Sequence, residues 1–353
     1  MSLPGAVPPP DESIDAGVAW HYGDPFAEQR SAARSAVVFD RSNRGVVAVP
    51  GEDRLTWLHQ LTSQHFEQLG ENAATEALIL DAQGRLEHHA VVANVGGTVF
   101  LDVEEVDGLL AYLKKMVFWS KVEPRDATAE FALLTVAGPE TPAVLDRVGV
   151  AVPADAAPLG EGFVRRVSWP GRDAVDLLVP RAELGDWWQR ITDAGARPAG
   201  SLAFEALRVE ALRPRQGVDT DERTIPHEVN LIDSAVHLNK GCYRGQETVA
   251  KVHNVGRPPR RMLLLHLDGS ADALPEPGDP VALDGRVVGR VGSVVQHHEL
   301  GPIALALVKR SVPVESTLTA GAPEREAAAR IDPDSVPPDT PGLGREAARN
   351  LRG

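Results

Sequence analysis

Residues 240–251 read Lys240-Gly241-Cys242-Tyr243-Arg244-Gly245-Gln246-Glu247-Thr248-Val249-Ala250-Lys251, and they contain the only cysteine of the chain. Gly241 and Gly245 permit tight backbone turns and the close approach of a ligand or another backbone. Cys242 stands between two cationic residues, Lys240 and Arg244. Positive neighbours favour the thiolate, which is the form that acts as nucleophile or metal ligand. The plainer alternative is a small buried hydrophobe in an ordinary turn, the common fate of a free cysteine. Chemistry alone leaves both readings open.

The pattern changes at Gly256-Arg257-Pro258-Pro259. Beyond it, short apolar runs at 261–267, 280–283, 286–296 and 303–309 alternate with Gly- and Pro-rich turns, which predicts a small antiparallel barrel or sandwich. From about Gly321 the chain turns polar and proline-rich, so 321–353 is expected to be a mostly disordered tail with one short helix at 343–351. On the N-terminal side, residues 1–24 read as a flexible arm and Pro25 opens a helix to Arg34. Strands are expected at 45–49, 77–80, 86–92, 98–102, 131–136, 163–169 and 174–179. Helices are expected near 55–61, 106–118, 181–194 and 201–212. The strands come in hairpins, as around Asp81-Ala82-Gln83-Gly84, so the class is α+β and a doubly wound sheet is disfavoured.

The 353 residues exceed one ordinary core, and 43% hydrophobic with 24% charged residues is globular composition. A net charge of −14 disfavours direct nucleic-acid binding. No apolar run approaches the ~20 residues that span a bilayer, and Met1 to Ser13 carries no secretory signal pattern. A single cysteine excludes an intrachain disulfide and fits a reducing compartment, so a cytoplasmic location is expected. No phosphate-binding glycine motif follows a strand. The pairs His88-His89 and His297-His298 point to opposite faces of a strand, and no metal site is assembled around one cysteine.

The stretch K-G-C-Y-x-G-Q-E resembles the signature of YgfZ-type folate-binding proteins, relatives of the glycine-cleavage T-protein. Further stretches carry the same resemblance: Asp53 to Ser63, Leu80 to Arg85, Leu207-Arg208-Val209-Glu210, Gly217-Val218-Asp219, and Pro226 to Leu231. It covers about 25–310. It implies a three-part cloverleaf of antiparallel sheets with a small C-terminal β-barrel, in which 25–256 is the folate-binding region and 257–320 the barrel. It also implies tetrahydrofolate or a derivative as cofactor. Glu210 is then the carboxylate that accepts two adjacent pterin N–H groups in parallel. The plainer alternative for Glu210 is an exposed helix glutamate. Arg208, Arg223, Lys240 and Tyr243 are the further expected folate contacts, and Cys242 the working thiol.

One departure matters. The T-protein carries a catalytic acid on the strand after this hairpin, whereas here the stretch is Gly84-Arg85-Leu86-Glu87-His88-His89. Glu87 is offset by one residue, which on a strand is the other face. The resemblance therefore implies an accessory protein of iron–sulfur cluster assembly or repair, with assembly proteins and client enzymes as partners, rather than an aminomethyltransferase. A folate-dependent one-carbon transferase is the alternative, and an interaction module that has lost its ligand is the third.

Overall fold

The computed structural model describes residues 3–170, 173–255, 257–271 and 273–338. The chain divides into two compact units. The first comprises the chain up to His59, His65–Ala77 and Ala90–Ala211, and the second comprises Gln60–Gln64, Leu78–His89 and the chain from Leu212 onward.

The first unit is built on two sheets. One has the order Arg197–Ala199, Val37–Asp40, Phe131–Ala137, Ala174–Pro180, Gly162–Val167, Ala156–Leu159. Its pairs are antiparallel except for Val37↔Arg197, where the strands run parallel. The other has the order Ala73–Leu80, Leu86–Val95, Thr98–Val103, Gly45–Pro50, Arg125–Asp126, of which residues 78–80 and 86–89 count with the second unit. Against the first sheet, helix Leu184–Asp193 buries Trp187, Trp188 and Ile191 on Leu134, Val136, Val175 and Leu177. Ala48, Ala93 and Phe100 of the second sheet pack with Phe131, Leu133, Phe163 and Leu178 of the first. Phe100 meets Phe131 edge to face at 5.7 Å and 82°.

Charges are buried in this unit as well. The guanidinium of Arg165, fully buried, donates through Nε to Asp176 at 3.0 Å, through Nη1 to the Val91 carbonyl at 3.0 Å, and through Nη2 to Asp102. Arg44 also donates to Asp102. Burial alone would push the Asp102 carboxyl up, but Arg44, Arg165 and Arg41 together hold it well below the usual carboxylate range. A buried charge persists only with such partners.

In the second unit, Arg260–Leu267, Gly301–Lys309, Arg286–His297, Pro280–Leu283, Thr317–Ala320 and Ala327–Ile331 close into a six-stranded barrel. The closing pair is Leu265↔Ile331. Leu263, Leu265, Val281, Val291, Ala304, Ala306, Leu318 and Ile331 fill its interior. Among the described residues, no helix is long and apolar enough to cross a membrane.

Two expectations are corrected here. The tail does not begin at Gly321: Ala327, Ala329 and Ile331 point inward and Ala328 and Arg330 outward on the strand that closes the barrel. Three alanines and an arginine hide this alternation, because alanine is a poor strand former. The short helix expected at 343–351 lies outside the described residues. Nor is the N-terminal segment a loose arm. Val7 bridges to His21, Val18 and Ala19 are buried, and Leu3 and Tyr22 pack on the core. Its apolar residues are irregularly spaced, so no period announces their burial.

Candidate functional site

In the second unit, the segment Lys240–Gly245 leads into helix Gln246–Val255 and is seated on the hairpin turn 81–84. Asp81 shapes that turn: its Oδ1 accepts from the amides of Gln83 and Arg85, both at 2.8 Å. Gly84 has φ +77° and Gly245 φ +82°. The two backbones touch. A Cβ on Gly245 would lie 2.6 Å from the Asp81 carbonyl oxygen and 2.7 Å from the Gly84 Cα. Both glycines are therefore required by the close approach as well as by their dihedrals.

Ser63 fastens the base of this assembly. It is fully buried, its Oγ donates to the Ala235 carbonyl at 2.6 Å and accepts from the Leu78 amide at 3.0 Å. The His237 amide donates to the Ser63 carbonyl at 2.9 Å.

Cys242 is exposed. Lys240, buried, sends its ammonium to the carbonyl oxygens of Thr62 at 2.6 Å and Gln64 at 3.0 Å. The Tyr243 ring lies 5.1 Å from that ammonium, and burial pushes the phenol up to about 12. Arg244 donates to Glu87 at 3.0 Å in a half-exposed pair. Each cation that flanks Cys242 in sequence thus has a defined partner elsewhere. Arg223 is exposed on the separate turn 221–224, where its amide donates to Asp221 at 3.0 Å.

Neighbouring carboxylates hold the frame. Asp219 accepts from the Arg215 amide at 2.8 Å and from the amide and hydroxyl of Ser293 at 2.7 and 3.0 Å. Asp221 and Glu228 share Arg260, with contacts of 2.6 and 2.8 Å. Burial would raise the Asp221 carboxyl, but hydrogen bonds from Arg260 and Thr224 bring it down to about 2. The strand segment 87–89 is clasped by the amide of Gln216, which donates to the Glu87 carbonyl at 2.7 Å and accepts from the His89 amide at 2.8 Å.

Arg208 and Glu210 belong to the first unit. Helix Ser201–Glu210 buries Phe204 and Leu207 and ends on Glu210, whose side chain is exposed. Arg208 is buried and forms a two-pronged pair with Glu205, one turn earlier, at 3.0 and 2.6 Å.

The same unit holds a cluster that the sequence reading did not assemble. His59, His65 and Glu67 each bring a ligand atom within 4.8 Å of the others. Adjacent histidine pairs and the single cysteine are the conspicuous metal-ligand candidates of the sequence, whereas these three follow no helix or strand period. The only signal was the spacing H-x5-H-x-E.

Residues 19–240 match the GCVT N-terminal domain, and residues 260–338 match the CAF17 C-terminal beta-barrel domain. An aminomethyltransferase of Rubrobacter xylanophilus is 32% identical over 302 residues, covering 80% of this chain and 78% of that protein. The chloroplastic protein At1g60990 of Arabidopsis thaliana is 27% identical over 306 residues, 81% of this chain and 68% of that one. In structure, the chain is similar to the glycine cleavage system aminomethyltransferase T of Bartonella henselae, with a TM-score of 0.82, 17% identity and 94% of each chain covered. With its first 240 residues matched almost throughout and its barrel accounted for, the chain belongs to the family of the glycine-cleavage T-protein, GCVT.

Proposed function

We propose that this protein is the YgfZ kind of GCVT relative: it binds tetrahydrofolate and serves iron–sulfur cluster assembly or repair, without performing aminomethyl transfer. The observation that carries this reading is the loop 240–245, which is fastened at its base and leaves the one thiol of the chain exposed. A loop placed by the close approach of Gly245 and by a buried Lys240 is built to hold Cys242 at the surface. One thiolate does not hold a cluster by itself, since clusters use about four. Cys242 therefore acts transiently or shares a cluster with thiolates of an assembly protein or client enzyme.

Tetrahydrofolate is the ligand proposed; of its expected contacts, Glu210 belongs to the first unit and Arg223 and Tyr243 to the second. Glu210 is an exposed carboxylate on the end of a rigid helix, suited to accept two parallel N–H donors of a pterin ring. Arg223, also exposed, suits the anionic tail of a folate. Tyr243 offers a half-buried ring for apolar contact. Arg208 and Lys240 serve the ligand indirectly, by fixing helix Ser201–Glu210 and the 240–245 loop. The cytoplasm is the location proposed, where an exposed free thiol stays reduced.

The absence of aminomethyl transfer is read from the strand after the turn. Its one acid, Glu87, is tied to Arg244, and the residues that follow are His88 and His89. The second reading, a folate-dependent aminomethyltransferase, draws on the names of the relatives, the one from Rubrobacter xylanophilus among them. Incubation with an aminomethyl-loaded lipoyl carrier and tetrahydrofolate separates the two. No methylene-tetrahydrofolate above the uncatalysed rate is expected, while Cys242→Ser loses the ability to restore iron–sulfur enzyme activity in cells lacking the protein. Turnover at ordinary enzymatic rates, or full restoration by the serine variant, would overturn the proposal.

A further inference from the structure

We propose that His59, His65 and Glu67 form a binding site for a divalent transition metal of the zinc class. The local fold explains why the three meet. Helix Arg54–Leu61 carries His59 near its end, and the chain turns into a short 3-10 segment, Phe66–Gln68, directly after His65. Both histidines sit beside a fully buried anchor, Leu58 for the first and Phe66 for the second. The helix is further fixed by the Trp57 indole, which donates to the Met116 carbonyl at 2.8 Å. Two imidazoles are thereby brought together with ring centroids 4.5 Å apart and planes at 65°, and the Glu67 carboxylate completes the triangle.

The geometry is that of a site one small adjustment from closure. Ligands at the ~2.0–2.1 Å of a zinc–nitrogen or zinc–carboxylate bond stand roughly 3.3 Å from one another around a tetrahedral centre. The ligand atoms here lie within 4.8 Å. Side-chain movement of up to about 1.5 Å closes the triangle; His59 is buried, His65 half-buried and Glu67 exposed. The buried member is anchored on its helix, and the outer two face the side from which an ion would enter.

Ligand type decides the metal class. Two imidazoles and one carboxylate suit zinc, cobalt, nickel, copper or ferrous iron, whereas magnesium and calcium require sites made of oxygen. Three protein ligands leave the fourth position to water or to a small anionic ligand. That is the arrangement of an open site rather than a closed structural one.

The test uses untagged, chelator-treated full-length protein in which Cys242→Ser removes the one thiol. Cobalt(II) is titrated with visible absorption as the readout, and zinc is then added in competition. The expected result is one equivalent of cobalt with the intense spectrum of a four-coordinate ion, displaced by zinc. The conservative variants His65→Asn and Glu67→Gln, both at accessible positions, should keep their melting temperature and each lose at least about tenfold in zinc affinity. The chain has 11 histidines, so weak binding elsewhere is a real competitor. An octahedral spectrum without stoichiometric binding would overturn the proposal. So would zinc affinity unchanged in both variants.

Discussion

Replacing Gly245 by alanine asks whether the seating of the 240–245 loop on the hairpin turn is as tight as its geometry states. Two costs are expected. Alanine at φ +82° is in the left-handed region, which costs about 1–2 kcal/mol for a residue with a Cβ. The new methyl would also stand 2.6 Å from the Asp81 carbonyl oxygen and 2.7 Å from the Gly84 Cα. Both are backbone atoms, so relief requires the loop to lift from the turn, at about 1–3 kcal/mol by comparison with other overpacked sites. Together the loss is about 2–5 kcal/mol, or a fall in Tm of roughly 5–15 °C for a unit of this size. Gly217 supplies the control, since it has the same φ of +82° with nothing within 4 Å of its would-be Cβ. Gly217→Ala should therefore show only the conformational part, about 1–2 kcal/mol. Calorimetry or urea melts of both variants measure the difference. Equal destabilisation by the two would refute the close packing of loop on turn.

A chain ending at Ala320 loses the strand Ala327–Ile331 and exposes both of its neighbours' edges, so the barrel should melt at least roughly 3 kcal/mol more easily from the lost burial of Ile331 and the two inward alanines alone. An unchanged urea midpoint would show that the strand is dispensable. Neither ring nitrogen of His227 has a hydrogen-bond partner among the described residues, and burial, with His253 6.2 Å away, brings its pKa down from 6.5 to about 4. Between these two values the unfolded chain binds more protons than the folded one, so stability falls as pH drops from about 6.5 to 4, by roughly 1–3 kcal/mol after allowance for partial exposure. Urea melts across that range should show the slope, and His227→Gln should flatten it. A slope that survives the substitution would assign the effect to other groups.

How much of this was legible beforehand depended on the length of each signal. The barrel strands Arg260–Leu267 and Gly301–Lys309 were readable because seven or more residues keep a steady apolar character between glycine and proline turns. Val37–Asp40, which lies between two partners in the larger sheet of the first unit, was missed because four residues, most of them buried, show no period. Ala327–Ile331 was lost among alanines. In the loop, sequence adjacency suggested that Lys240 and Arg244 act on the thiol beside them. Adjacency sets the distance between backbones and leaves the direction of long side chains open. Their charged ends go instead to Thr62, Gln64 and Glu87, residues over 150 positions away in the chain. The cluster of His59, His65 and Glu67 was invisible for a related reason: it spans the end of a helix, where neither the 3.6 nor the 2.0 period holds.

Folate binding with Glu210 as the pterin carboxylate is tested by calorimetric titration of tetrahydrofolate into the wild-type protein and Glu210→Ala. Loss of a paired, charged hydrogen bond costs roughly 1.5–3 kcal/mol, or about tenfold to a hundredfold in affinity. Saturable one-to-one binding is expected for the wild type and weakening of that size for the variant, whose exposed side chain leaves the core untouched. No saturable binding to the wild type would contradict the claim outright, and equal affinity in the variant would remove Glu210 from the site.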